Sequence, residues 1–148
     1  MTTIPSSESS PTLWNPKAAA VWCLLFSPAF GAYLHARNAE TLGRPEEAKA
    51  NRMWFFISLA YFGVILISVF FPAIPDQVFR LGALGLLFGW HFSVGRKQIE
   101  YVRETYQDQY QRKPWAKPLL IAFGCVVALM GVIIGLTMFT TPLDPDLN

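Results

Sequence analysis

The sequence has little charge. Only 15% of its 148 residues are Asp, Glu, Lys or Arg, whereas a soluble domain carries about 25%. The 12 basic and 10 acidic side chains give a formal net charge of +2, which is too small for the basic surface by which a protein binds DNA or RNA. Two cysteines cannot form the disulfide framework of a chain this long. These shortages exclude a nucleic-acid-binding protein and a disulfide scaffold, and they favour a membrane protein.

The few charged residues are clustered, and four stretches between the clusters carry no charge. The stretches have 19, 23, 15 and 26 residues, and they are residues 18–36, 53–75, 81–95 and 118–143. A helix needs about 20 apolar residues to cross a bilayer, and none of the stretches alternates as a β-barrel strand does. The sequence therefore predicts an all-α integral membrane protein, a four-helix bundle made of two helical hairpins. The predicted transmembrane domain is residues 14–143, with helices at about 17–42, 45–71, 77–112 and 117–141.

The first stretch leaves an alternative open. Ser27 and Pro28 interrupt its apolar run, and a proline removes a helical hydrogen bond and kinks or breaks a helix. In the alternative, three helices span the membrane and residues 18–36 form a re-entrant segment that is broken at Pro28. The third stretch is short, and it reaches a spanning length only if Asp76 and Arg80 enter the helix near one interface.

The basic residues predict how the chain is oriented. Ten of the 12 lie in two loops, residues 37–52 and 96–117. Short loops rich in Lys and Arg stay in the cytoplasm, so both loops are expected to be cytoplasmic in a bacterial inner membrane, and both chain ends periplasmic. Residues 1–13 are then a disordered exported tail, and residues 144–148 an acidic one. If the first stretch is re-entrant, only the N-terminus changes side.

The tryptophans and the loop residues agree with these helices. Indole rings prefer the headgroup level, and Trp54, Trp90 and Trp115 fall at predicted cytoplasmic interfaces while Trp14 falls at the outer one. The helix ends are predicted by residues that favour a stop or a start: Gly43 after the first helix, Pro45 in the first turn of the second, and Pro114 after the third. Arg96 and Glu100 are spaced for an ion pair on the third helix.

Small residues predict how the helices pack. The third helix carries Gly82, Gly85 and Gly89, and the fourth carries Gly124, Ala128, Gly131 and Gly135. Spacings of three and four residues put each set on one helix face, where two backbones can approach closely. The two faces are expected to lie against each other. A homodimer through Gly131 and Gly135 is the alternative.

The chain offers few groups for chemistry. His35 and His91 fall near the cytoplasmic ends of their helices and are expected to lie close together, but a zinc site needs two more ligands. Cys23 and Cys125 lie in apolar runs without a neighbouring base. Arg80 is a functional candidate because charges within a membrane often are, although it can instead pair with Asp76 one turn before it. We expect no metal and no cofactor.

Because the four stretches are uncharged, none of them offers an Asp or Glu side chain within the membrane. Proton-driven transport and acid–base catalysis within a membrane both rely on such carboxyl groups, so their absence argues against a proton-coupled transporter and against an enzyme. The break from Pro28 to Gly31 would free backbone groups that need protein or water partners. These two residues are therefore candidates for a bending point or a partner-binding groove.

The N-terminal segment carries a resemblance. The residues concerned are Trp14-Asn15-Pro16, Ala18-Ala19, Trp22 and Leu25-Phe26-Ser27-Pro28-Ala29-Phe30-Gly31-Ala32. Over residues 14–55 the chain resembles small bacterial multi-pass inner-membrane proteins, some of which are immunity proteins of type VI or polymorphic toxin systems. The resemblance implies a membrane protein without enzymatic activity that protects its producer from a toxin acting at the inner membrane.

Three functions follow as hypotheses. The first is a small inner-membrane binding protein, an immunity protein that neutralises a membrane-acting, pore-forming toxin. The second is a subunit or scaffold of a larger inner-membrane complex. The third is a small channel or transporter that uses Arg80 and the two histidines. The expected partners are the lipid bilayer and a toxin or another membrane protein.

Overall fold

The computed structural model of the protein describes residues 10–71, 75–107 and 109–140. The chain is almost entirely helical in these ranges. Its helices are α1 (Pro16–Trp22), α2 (Pro28–Thr41), α3 (Pro45–Ser68), α4 (Asp76–Trp90), a π-helix (His91–Gly95), α5 (Arg96–Tyr106) and α6 (Ala116–Thr140). Two short strands, β1 (Thr12–Leu13) and β2 (Gln111–Arg112), complete the described part of the fold.

Three of these helices are long and apolar enough to cross a membrane. They are Pro45–Ser68, Asp76–Tyr106 and Ala116–Phe139, the second of which runs without interruption from α4 through the π-helix into α5. The predicted membrane protein is confirmed at this level. The predicted helix over residues 17–42 is wrong, because the chain forms two shorter helices there, of 7 and 14 residues.

The break between α1 and α2 has a local cause. Pro28 begins α2 and cannot donate a backbone hydrogen bond to the turn before it, so α1 cannot continue through this point. Ser27, just before the proline, has an extended backbone, as residues that precede proline prefer. Cys23 instead closes the end of α1 with a hydrogen bond from its backbone N–H to the carbonyl of Val21.

The two short helices form a hairpin that enters and leaves the bundle at the same end. A tight connection after Thr41 turns the chain back, so that α2 packs antiparallel along the first half of α3. The tip of the hairpin, residues 23–27, lines a small cavity together with Tyr61 and Leu84. Tyr61 is the 17th of the 24 residues of its span, and Leu84 is the 9th of the 31 residues of its span, so the tip lies well inside the bundle. A hairpin of this kind agrees with the re-entrant alternative, which stays a prediction.

The strands fix the side on which the N-terminal segment lies. β1 pairs in parallel with β2, with Thr12 opposite Gln111 and Leu13 opposite Arg112. β2 belongs to the loop between the second and third spans, so Thr12 and Leu13 lie at the same end of the bundle as both basic loops. The expectation that this tail lies at the opposite end is therefore wrong for Thr12 and Leu13, and residues 1–9 lie outside the described residues. Leu13 is also fully buried, against Val102 and Tyr110, so the prediction of a disordered tail is wrong at this residue.

Several helix boundaries agree with the sequence. Gly43 follows the end of α2 with a positive φ of 66°, and Pro45 begins α3. The Arg96–Glu100 ion pair forms at 2.6 Å. α5, however, ends at Tyr106 and not at residue 112, because Gln107 adopts the left-handed conformation with a φ of 48° and closes the helix. The chain is then free to form β2.

Helix α6 stands apart from the rest of the fold. It makes no extended contact with any other element in the described part of the chain. Most of its large apolar side chains are exposed, as they are at Phe123 and Val127. In contrast, α2, α3 and the helix from α4 to α5 pack together at the basic end.

Candidate functional site

Buried polar side chains gather at the basic end of the bundle and form the candidate site. We call this group, with the Trp90 ring at its centre, the polar cluster; its polar members are His35, Asn38, Asn51 and Gln98. Trp90 is completely buried, and its predicted position at the headgroup level stays a prediction. Its indole Nε1–H donates to Asn51 Oδ1 at 3.0 Å. This bond joins α3 to the end of α4.

His35 lies in α2, outside the three spans, and its ring packs against Trp90. Its Nε2 lies 3.0 Å from the backbone carbonyl oxygen of Pro16, and because a carbonyl can only accept, Nε2 carries the proton. The ring meets the Trp90 ring edge-on, with 5.1 Å between the centroids. Burial lowers the pKa of His35 to about 4. The ring is therefore neutral at pH 7, and it ties α1 to α2.

Two amide side chains complete the cluster. Asn38 bonds to both backbone groups of Trp14: its Oδ1 accepts from the Trp14 N–H at 3.0 Å, and its Nδ2 donates to the Trp14 carbonyl at 2.7 Å. Gln98 Nε2 donates to the backbone carbonyl of His35 at 2.8 Å. A buried amide that lacked such partners would cost about 1–3 kcal/mol. These bonds hold the N-terminal segment against α2, and α2 against α5.

Gly31 is the point of closest approach within the re-entrant hairpin. A Cβ atom at this position would collide with Cys23 Sγ and would lie 2.7 Å from Trp90 Cη2. The Cys23 thiol donates to the carbonyl of Ala19 at 3.2 Å. This thiol is buried and acts as a packing group. Pro28 and Gly31 thus have structural roles, the first in starting α2 and the second in closing the hairpin.

The other sequence candidates lie apart from the cluster or at its edge. His91 is half-buried in the π-helix, and its ring centroid lies 6.3 Å from that of Trp90, so both histidines border the same indole. No three His, Cys, Asp or Glu residues come together as a metal site within the described ranges. Arg80 is exposed, and no ion pair joins it to Asp76, although the structure describes both residues.

The glycines pack differently from the prediction. A Cβ on Gly82 would lie 2.7 Å from the Tyr61 hydroxyl oxygen, and one on Gly89 would lie 3.0 Å from Trp54. Both aromatic residues belong to α3, so these glycines face α3 and not α6. Four other glycines of the two predicted faces have no described atom within 4 Å of an added Cβ; they are Gly85, Gly124, Gly131 and Gly135. The predicted contact between the two faces is therefore wrong, whereas the homodimer stays a prediction.

Sequence analysis missed most of the polar cluster. Asn38, Asn51 and Gln98 were not singled out, because each is a single amide at the edge of an apolar run. Their partners lie far away in sequence, as the separation of 63 positions between Gln98 and His35 illustrates. The available signal was the position of these amides close to apolar stretches, where an uncompensated polar group is costly.

Comparisons with protein-family models, with curated proteins and with solved structures find no match to this chain. The resemblance of residues 14–55 to immunity proteins therefore stays a prediction, and the arguments for a function rest on geometry.

Proposed function

We propose that the chain is a small polytopic membrane protein without enzymatic activity that binds a second membrane protein. The expected partner is a membrane-acting, pore-forming toxin, which the chain would neutralise as an immunity protein. The observation that carries the proposal is α6, a 25-residue apolar helix that makes few contacts with the other described elements and exposes most of its large side chains. A helix that does not complete its own bundle is available to another one.

The surface of α6 supports this role. Lipid covers exposed apolar side chains well, so exposure alone requires no protein partner. Gly124, Gly131 and Gly135, however, lie on one face with Ala128, and this face has little side-chain bulk. Small residues of this kind let two helix backbones approach closely in a membrane, where van der Waals contact drives association. This face is the proposed contact with the partner helix.

The use of the buried polar groups supports the non-enzymatic part of the proposal. Asn38, Asn51 and Gln98 each make a hydrogen bond to another part of the protein. These bonds stabilise the fold and do not point into an open cavity. Arg80, the residue on which a channel or transporter would depend, lines neither of the two cavities described.

The basic end is proposed to lie in the cytoplasm of a bacterial cell. It carries the two loops that hold ten of the 12 Lys and Arg residues, and such loops are retained on the cytoplasmic side. With three spans, the N-terminal strand is then cytoplasmic and the end of α6 periplasmic. A pore-forming toxin that arrives from the periplasm would meet the outer half of α6.

A co-expression experiment tests the proposal. Cells that produce the toxin encoded next to this gene should survive when the chain is present. Replacing Gly131 and Gly135 with leucine should abolish protection, whereas Ile134→Leu, a matched change on the same helix, should preserve it. A photo-crosslinker at position 131 should capture the toxin.

The same experiment separates the alternatives. Crosslinks from position 131 to resident membrane proteins, obtained without any toxin, would favour a subunit or scaffold of a larger complex. Survival that depends on neither Gly131 nor Gly135 would remove α6 as the contact. If the chain gives no protection, it is not an immunity protein.

A further inference from the structure

A groove runs between α1 and the long helix from Asp76 to Tyr106. Its volume is about 710 Å³, and α1 forms one wall while α4, the π-helix and α5 form the other. The groove has two chemically different ends, which lie along the axis of the long helix. It is separate from α6 and from the proposed contact with a partner protein.

One end of the groove is basic. Lys17 of α1 and Arg96 and Arg103 of α5 line it, together with a single acid, Glu100. Glu100 is already engaged, because its Oε1 lies 2.6 Å from Arg96 Nε. No carboxylate in the part of the chain that the structure describes pairs with Lys17 or Arg103. This end therefore has an excess of positive charge and offers donors to an anion.

The other end of the groove is apolar. Val21 and Leu24 line it from α1, and Phe88 and Phe92 line it from the opposite wall. All four side chains are more than half exposed. The rings of Phe88 and Phe92 stack, with 6.2 Å between their centroids. Such a surface is suited to contact with hydrocarbon.

The two ends lie at different depths of a membrane. The helix Asp76–Tyr106 has 31 residues, or about 46 Å at about 1.5 Å per residue, whereas the hydrocarbon layer is about 30 Å thick. If the helix enters the layer near Asp76, its last ten or so residues project beyond the layer. Arg96 and Arg103 then lie at the level of the headgroups, and Phe88 and Phe92 lie among the acyl chains.

The π-helix forms the wall between these two levels. Residues 91–95 carry one extra residue per turn, and a π-helical turn within an α-helix often marks a functional site. His91 and Phe92, both within this turn, line the groove. The irregular turn is thus part of the groove surface.

We propose that this groove binds one anionic glycerophospholipid. The phosphate lies against Lys17, Arg96 and Arg103, and an acyl chain lies along Leu24, Phe88 and Phe92. The charge of the groove selects an anionic headgroup over a zwitterionic one. The basic end lies at the depth of the headgroups and the apolar end at the depth of the acyl chains, so the groove selects a lipid over a soluble phosphate.

The full chain, purified in mild detergent and titrated with lipid under native mass spectrometry, tests this proposal. Phosphatidylglycerol should bind more tightly than phosphatidylcholine with matched acyl chains. Each groove arginine should contribute about fivefold to this preference, since a basic residue at a membrane surface is worth about 1 kcal/mol towards an anionic lipid. Arg96→Gln and Arg103→Gln should each remove that factor. Lys97→Gln and Arg112→Gln, which change exposed bases outside the groove, should leave the preference unchanged.

Three results would overturn the proposal. The first is equal affinity for the two lipids. The second is an equal loss of preference in the groove variants and the control variants, which would assign the effect to the basic surface as a whole. The third is competition by glycerol 3-phosphate at the concentrations at which the lipid binds, because a headgroup without acyl chains should not fill the groove. The unfolding midpoints of all four variants should stay near that of the parent chain, because every changed side chain is exposed.

Discussion

The basic end of the bundle and helix α6 are built in different ways. At the basic end, α1, α2 and α5 are held by hydrogen bonds from buried side chains to backbone carbonyls and by a completely buried tryptophan. Along α6, most of the large apolar side chains are exposed, and no described atom lies within 4 Å of a Cβ added to its glycines. The basic end is held together by contacts within the protein, whereas the surface of α6 is exposed to lipid or to a partner.

This difference indicates which region contributes most to the free energy of unfolding. A re-entrant hairpin has backbone groups that do not continue into a spanning helix, and in a membrane these groups must find protein partners or water. Asn38 supplies two such bonds and His35 supplies one. An uninterrupted helix such as α6 satisfies its own backbone and needs no such support. Substitutions should therefore be costly at the basic end and nearly neutral on α6.

The largest effect is expected for Gly31→Ala. The new methyl group would collide with Cys23 Sγ and the Trp90 ring, and overpacking of this kind costs about 1–3 kcal/mol. We expect a loss near the upper end of that range in the free energy of unfolding, followed by circular dichroism in detergent. Gly63→Ala is the matched control, since no described atom lies within 4 Å of a Cβ there. Equal stability of the two variants would show that the hairpin is not closed at Gly31.

The next effect is a dependence of stability on pH that comes from His35. The folded chain keeps this ring neutral, with a pKa of about 4, whereas the ordinary value is 6.5. The unfolded chain thus binds more protons between these values, and the free energy of unfolding falls as the pH falls from 6.5 towards 4. We expect His35 to account for a loss of about 2 kcal/mol over this window.

The control for this prediction is the second histidine. His35→Gln should remove that part of the pH dependence, while His91→Gln should retain it. If the curves of the parent chain and the His35→Gln variant stay parallel, His35 is not buried as a neutral ring.

A smaller effect is expected for the bond between Trp90 and Asn51. Asn51→Ala leaves the indole N–H without its acceptor, and Trp90→Phe removes the donor. A double-mutant cycle should give a coupling free energy of about 1 kcal/mol, the usual net value of one hydrogen bond. A coupling near zero would mean that α3 and α4 are not joined at this point.

The smallest effect is expected on α6. Gly131→Leu should change the free energy of unfolding by less than about 0.5 kcal/mol, as a substitution away from packed features does. Gly82→Leu, which places a side chain against the Tyr61 ring, should destabilise the chain clearly more. If the order is reversed, α6 packs within its own bundle and is not free for a partner.

The sequence predicted the features that depend on local chemistry. Gly43 and Pro45 set the boundary between α2 and α3 because their backbone preferences act within one turn. The lengths of the apolar runs predicted the membrane protein. The first run was ambiguous, because 19 uncharged residues can cross a membrane or fold back within it. Pro28 indicated the second possibility but did not decide between them.

The remaining features depend on contacts between distant residues. The polar cluster joins Trp14 to Asn38 and His35 to Gln98, and no periodicity in a single segment indicates such pairs. The glycines of α4 were assigned to the wrong neighbour for a related reason. A small residue permits close approach but does not specify what approaches, and here the neighbours are Tyr61 and Trp54 of α3.

The re-entrant hairpin is tested most directly by the sides from which single cysteines react. In a background without Cys23 and Cys125, cysteine would replace Ser10, Gln77 or Gln111, which are all exposed, and a membrane-impermeant maleimide would be added to cells with a permeabilised outer membrane. We predict that position 77 is labelled in these cells, whereas positions 10 and 111 are labelled only after the inner membrane is opened. Labelling of position 10 together with position 77, while position 111 stays protected, would contradict the hairpin and restore a fourth span.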